Sequence, residues 1–111
     1  LFIVNQKNEI IESSNSNVFF LKEDVLLTPP LNSGCIEGVM RIEVIRAAED
    51  LGINVLESDV YEEDLEKSRE IFLTNVISGI RWVGGYKKKR FYNFISKKII
   101  EKLNKNLANY Q

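Results

Sequence analysis

The chain has 111 residues, 44% of them hydrophobic and 28% charged, with a net charge of −1. That length suits one domain with a buried core, and that balance carries no electrostatic footprint for nucleic acid or anionic lipid. No apolar run approaches the ~20 residues of a membrane span, and no secretory signal is visible. Histidine is absent, which removes every triad or metal site that needs imidazole, and one cysteine, Cys35, excludes an internal disulfide and fits a reducing cytosol.

The opening "LFIV" and the later "SNVFFLK" are short β-branched and aromatic runs that predict strands, with "NQKNE" between them as a hairpin turn. A chain that starts inside a strand, without an initiator Met, reads as a piece of something longer. "VLLT" predicts another strand, stopped by Pro29-Pro30, which cannot continue a ladder. The turn "NSGCIEGVM" leads into a helix over about residues 37–51. Its apolar positions Met40, Val44, Ala47, Ala48 and Leu51 recur at helical spacing, with Arg41, Glu43, Arg46 and Asp50 mostly on other faces. Gly52 is placed to end it in a left-handed conformation.

"INVLES" predicts a strand, "YEEDLEKSRE" a short charged helix, and the almost wholly apolar "IFLTNV" a central strand buried on both faces. "GIRWV" is a further strand, after which Gly84-Gly85 turns the chain into a last helix drawn from "KKKRFYNFISKKIIEKLNKNL". There Phe91, Phe94, Ile95, Ile99, Leu103 and Leu107 make one apolar stripe. Interleaved strands and helices without repeats predict a single α/β domain over 1–111, with a mixed sheet.

Several stretches carry chemistry. Gly34 and Gly38 bracket the start of a helix, whose free N–H groups and dipole favour a phosphate or carboxylate, and glycine lets an anion approach the backbone. The plainer alternative is a connecting turn, and Glu37 can satisfy the dipole internally. "LTNVISGI" places Thr74, Asn75, Ser78 and Gly79 at the end of a buried strand, where α/β proteins build sites, although a polar turn has the same composition. Glu9 and Glu12 lie beside a Ser/Asn cluster, and such acids are usually solvated. The basic cluster at 87–90, with its neighbouring aromatics, suggests nucleic acid, but the phenylalanines belong to the apolar stripe and no second basic face exists. Cys35 has no histidine to serve it as a base and reads as a packed residue.

Taken in order, "ESSNSNVFF", "LTPPLNSGCIEGVMR" and "EIFLTNVISGIRWV" resemble the C-terminal domain of class IV aminotransferases, the fold type IV pyridoxal-phosphate enzymes. These include branched-chain and D-amino-acid aminotransferases and aminodeoxychorismate lyase. The resemblance runs from about Leu1 to Val83 and implies an α/β fold with a mixed β-sheet pseudobarrel flanked by helices. It implies that Glu12 faces the pyridine nitrogen of pyridoxal 5′-phosphate, keeping the ring protonated so that it drains electrons from the carbanion. Backbone N–H groups after Gly38, at Val39 and Met40, match those that hold the cofactor phosphate. Asn75 and Val76 match a second phosphate loop, and the N–H groups of Val76 and Ile77 match those that receive a substrate carboxylate. Met40 and Val76 stand where many relatives carry a hydroxyl, so their contacts must come from backbone.

The family's Schiff-base lysine and a phosphate-clamping arginine would precede Leu1. The resemblance therefore implies the C-terminal, cofactor-binding part of a longer cytoplasmic homodimer, inert without its N-terminal domain. "GVMR" with "TNVISGIRWV" looks closer to the aminodeoxychorismate lyase branch, serving 4-aminobenzoate and folate synthesis, than to the amino acid aminotransferase branch. A non-catalytic phosphate-binding α/β module is the alternative from another class.

Overall fold

The structure is a computed structural model that describes residues 3–4, 10–13, 16–30, 39–75, 79–86 and 89–108. Its strands are β1 (Ile3–Val4), β2 (Ile10–Ser13), β3 (Ser16–Lys22), β4 (Val25–Thr28), β5 (Asn54–Glu57), β6 (Glu70–Asn75), β7 (Gly79–Trp82), β8 (Gly85–Tyr86) and β9 (Lys89–Arg90). Its helices are α1 (Val39–Asp50), α2 (Glu62–Lys67) and α3 (Phe94–Ala108). Seven strands form one sheet, and β8 and β9 form a separate ribbon.

Strand β3 is the hub. β6 runs antiparallel along one edge, from Asn17↔Thr74 to Leu21↔Glu70. The other edge is shared by β2, paired at Glu12↔Asn17, and by β4, paired from Phe20↔Leu27 to Lys22↔Val25. Where β4 parts from β3, the Thr28 hydroxyl donates to the Val18 carbonyl at 3.0 Å, so the split leaves no orphaned acceptor there. Strand β5 adds in parallel to β4, which makes the sheet mixed, as the sequence predicts.

Alternation along β3 assigns its residues to two cores. Phe19, Leu21, Leu26 and Phe72 meet Val44, Ala47 and Ala48 of α1 and Ile99 and Leu103 of α3. Phe19 stacks on Phe72 at 5.1 Å between ring centroids. On the other face Val18, Phe20 and Ile71 meet Val60 and Leu65, the latter from α2. Strand β6 is therefore buried on both faces, as its apolar run predicts.

Helix ends are fixed locally. Gly52 takes φ 80°, its N–H bonding to the Glu49 carbonyl while the Ile53 N–H reaches Ala48, the paired bonds of a Schellman turn. At α2, Asp64 accepts from the Tyr61 N–H and from Lys22 Nζ, each at 2.9 Å, and the Asp64 hydrogen bond pushes the Lys22 ammonium above its usual range. Helix α3 is capped from across the chain. Ile95 N–H donates to Glu70 Oε2 at 2.9 Å, Ser96 N–H to Oε1 at 2.8 Å, and the Ser96 hydroxyl to that same oxygen. A carboxylate on a helix N-terminus satisfies free donors and complements the dipole.

Four readings of the sequence are corrected. The segment 10–13 is a strand of its own, β2, so the first hairpin joins β1 to β2 rather than to β3. The last helix starts at Phe94, and Lys89 and Arg90 lie in β9, because Gly85 and Tyr86 pair back onto them. Phe91 accordingly packs on the α2-side core and Phe94 is 66% exposed, stacked on Tyr92 at 5.5 Å; only Ile95, Ile99, Leu103 and Leu107 of the expected stripe face the main core. In α1, Leu51 is exposed while Arg41 and Glu43 are buried.

Replacing Glu70 by Ala should cost about 3 kcal/mol of stability, because two buried N–H groups lose a charged acceptor. Urea unfolding measures this, and a loss below about 1 kcal/mol would show that the cap contributes nothing special.

Candidate functional site

Strand directions place the site. β4 and β6 both run antiparallel to β3, so Thr28 and Asn75, their last residues, lie at the same end of the sheet, beside the start of β3. β5 is parallel to β4, so the connecting helix α1 must run back and begin at that end. A side chain confirms it: Arg41 Nη2, in the first turn of α1, donates to the Pro29 carbonyl at 3.1 Å and pairs with Glu57 Oε2 at 3.2 Å. Sites in open α/β sheets form outside the carboxyl ends of strands for this reason.

The sheet register adds the acid. Glu12, Asn17, Thr74 and Ile80 form one row across β2, β3, β6 and β7, and Asn75 pairs with Gly79 in the next. At the spacing of paired strands, two steps separate the Cα atoms of Glu12 and Thr74 by about 10 Å. The fold thus brings Glu12, Val39, Met40 and Asn75 to one end of the molecule. Gly38, Val76 and Ile77 lie outside the described residues, as do Gly34, Cys35 and Ser78. Met40 packs against the main core, so its side chain is committed there and its backbone is what it can offer.

Two further residues sit in this row, Thr74 from the "LTNVISGI" stretch and Asn17, which the motif reading did not single out. Asn17 and Thr74 are 7% and 1% exposed, yet Asn17 Oδ1 and Thr74 Oγ1 have no hydrogen-bond partner among the described residues. They are cross-strand neighbours on the α1 face of the sheet, two residues along from Phe19 and Phe72. Alternation held the signal: a polar side chain continues an apolar face at the strand end on both strands. Buried polar atoms without partners are costly, and here two of them lie side by side on neighbouring strands.

A cavity of about 870 Å³ lies at the opposite end of the sheet, among Leu21, Ile53, Arg69, Glu70, Tyr92 and Ile95. The Glu70 carboxylate at its edge is occupied by the α3 cap. Among the described residues no group of His, Cys, Asp and Glu could hold a metal ion, and no helix is long and apolar enough to cross a membrane.

Residues 1–85 match the family model described as amino-transferase class IV. A Thermotoga maritima protein named "probable branched-chain-amino-acid aminotransferase" is 38% identical over 80 residues, covering 72% of this chain and 29% of that protein. Relatives from Methanocaldococcus jannaschii, Escherichia coli and Arabidopsis thaliana carry branched-chain aminotransferase names as well. The crystal structure of an aminotransferase from Brucella abortus bound to the cofactor PLP superposes with a TM-score of 0.87 at 25% identity, covering 97% of this chain and 39% of that one. 4-Amino-4-deoxychorismate lyase from Pseudomonas aeruginosa gives 0.86 at 25% identity, with 96% and 40% covered. The chain spans under a third of the length of the curated relatives it matches.

Thr74→Val keeps the shape and removes one unpartnered hydroxyl, so it should stabilise the chain by about 1 kcal/mol. A melting temperature that falls instead would show that this hydroxyl has a partner.

Proposed function

Because the chain belongs to the class IV aminotransferases, we propose that it supplies the pyridoxal 5′-phosphate-binding face of a longer enzyme that transfers an amino group between an amino acid and a 2-oxo acid. The observation that carries this reading is the meeting of the Glu12 row, the end of β6 and the first turn of α1 at one end of the sheet. The same reading makes the complete enzyme a cytoplasmic homodimer acting on small molecules.

The residues present fit the cofactor. Asn17 and Thr74 leave buried polar atoms unpartnered in the row, and the first turn of α1 has N–H groups that no carbonyl of the helix itself can accept, where a phosphate is stabilised by the dipole. The class IV family depends on pyridoxal phosphate, which supplies an electron sink when bound. Toward it, Glu12 as a carboxylate holds a proton on the ring nitrogen. The N–H groups of Val39 and Met40, with Gly38 opening the approach, hold the phosphate from α1. Asn75 and Val76 hold it from the second loop. The N–H groups of Val76 and Ile77 orient the substrate carboxylate. The contacts assigned to Val39, Met40, Val76 and Ile77 would be backbone contacts, which suits a family whose members act on different substrates from one scaffold.

Branched-chain names among the relatives support amino transfer ahead of the lyase reading that the "TNVISGIRWV" stretch favours. The lyase keeps a specific support, the likeness to aminodeoxychorismate lyases from Pseudomonas aeruginosa and Legionella pneumophila. Assaying the complete enzyme decides between them: amino transfer from branched-chain amino acids to a 2-oxo acid is expected, and pyruvate release from 4-amino-4-deoxychorismate without transfer would reverse the order.

Glu12→Gln in the complete enzyme should lower turnover about 100-fold or more while changing cofactor affinity by less than about tenfold. An unchanged rate rejects the ring-nitrogen role.

A further inference from the structure

Arg41 is buried, with 4% of its surface exposed, in the first turn of α1. A cation there opposes the helix dipole, and a buried guanidinium needs partners for its donors. Only Nη2 has partners among the described residues, the Pro29 carbonyl at 3.1 Å and the Glu57 carboxylate at 3.2 Å, while Nε is buried with none. Glu57 is half exposed, so water weakens its pairing with the guanidinium. Among the described residues, the first turn of α1 holds no acid, so Glu57 is the carboxylate that pairs with Arg41 there.

The two partners also belong to different elements. Pro29 leads out of β4 and Glu57 ends β5, so a single side chain joins both strand ends to the helix that starts between them. We propose that Arg41 is a positioning residue for anion binding: its guanidinium sets the first turn of α1 against the ends of β4 and β5, so that the N–H groups of Val39 and Met40 meet a phosphate monoester. This rests on the reading of that turn as the cofactor-phosphate site.

The test compares pyridoxal 5′-phosphate with pyridoxal, which lacks the phosphate, by titrating the apo form of the complete enzyme and following absorbance. In the wild type the phosphorylated form should bind far more tightly; equal affinities would overturn the phosphate reading itself. Arg41→Met should weaken pyridoxal 5′-phosphate about tenfold or more and change pyridoxal less than about twofold. Equal loss for both ligands, or no loss for either, would overturn the positioning role while leaving the phosphate reading standing. Arg41→Lys keeps the charge but not the reach and planar geometry of the guanidinium whose Nη2 meets both strand ends, so it should lose at least about threefold for the phosphorylated ligand alone. It carries the test if the Met variant does not fold, and wild-type affinity in it would overturn the proposal.

Discussion

Strand β3 is buried from Asn17 to Leu21. Its two edges are taken by three other strands, and its two faces are covered by α1 and α3 on one side and by the Val60–Leu65 cluster on the other. A strand paired and packed in this way resists slipping, because a shift of one residue would exchange Phe19 and Leu21 for Val18 and Phe20 and drive Asn17 into the place of Val18 in the other core. Everything at the candidate site inherits its position from that constraint. Asn17 fixes where Glu12 lies on one side and where Thr74 lies on the other, and the antiparallel run of β4 and β6 brings their ends to the same place.

The two ends of the sheet have opposite electrostatic character. At the end that holds the large cavity, buried polar groups are satisfied: Glu70 binds three donors of α3, and Tyr92 N–H reaches the Arg69 carbonyl. At the other end, Asn17, Thr74, Arg41 and Glu43 each keep a buried atom without a partner among the described residues. Net stability is a small difference between large terms, so unpartnered atoms collected in one region are tolerated only where the remainder of the fold is well satisfied. Binding sites in other proteins show the same division between a satisfied scaffold and an unsatisfied end.

The long apolar signals were legible in the sequence: "SNVFFLK", "VLLT" and "EIFLTN" became β3, β4 and β6, and the pattern after Gly38 became α1 closed by Gly52. The short elements were not. Strand β2 holds four residues and the β8–β9 ribbon two on each side, too few for a period to declare itself, and the basic run before Phe94 looked continuous with the helix behind it. At the site, the family likeness pointed to Glu12, Gly38, Val39, Met40, Asn75, Val76 and Ile77; the strand directions put Glu12, Asn75 and the start of α1 at the same end of the sheet, and Gly38, Val76 and Ile77 lie outside the described residues. Arg41 and Glu43 were assigned to the outer face of α1 because helical periodicity ranks charge as solvent-facing. Periodicity along one helix cannot see that the strand ends of β4 and β5 supply a carbonyl and a carboxylate there.

Helix α1 is held at both extremities, by the Arg41 Nη2 contacts at its start and by the Gly52 turn at its finish. Between those anchors β4 and β5 keep one constant register, Val25 beside Asn54 through Thr28 beside Glu57. Its twelve residues therefore act as a gauge of set length. Adding or deleting one residue would rotate the leading turn by about 100° and advance it by about 1.5 Å, swinging its amides away from whatever they meet.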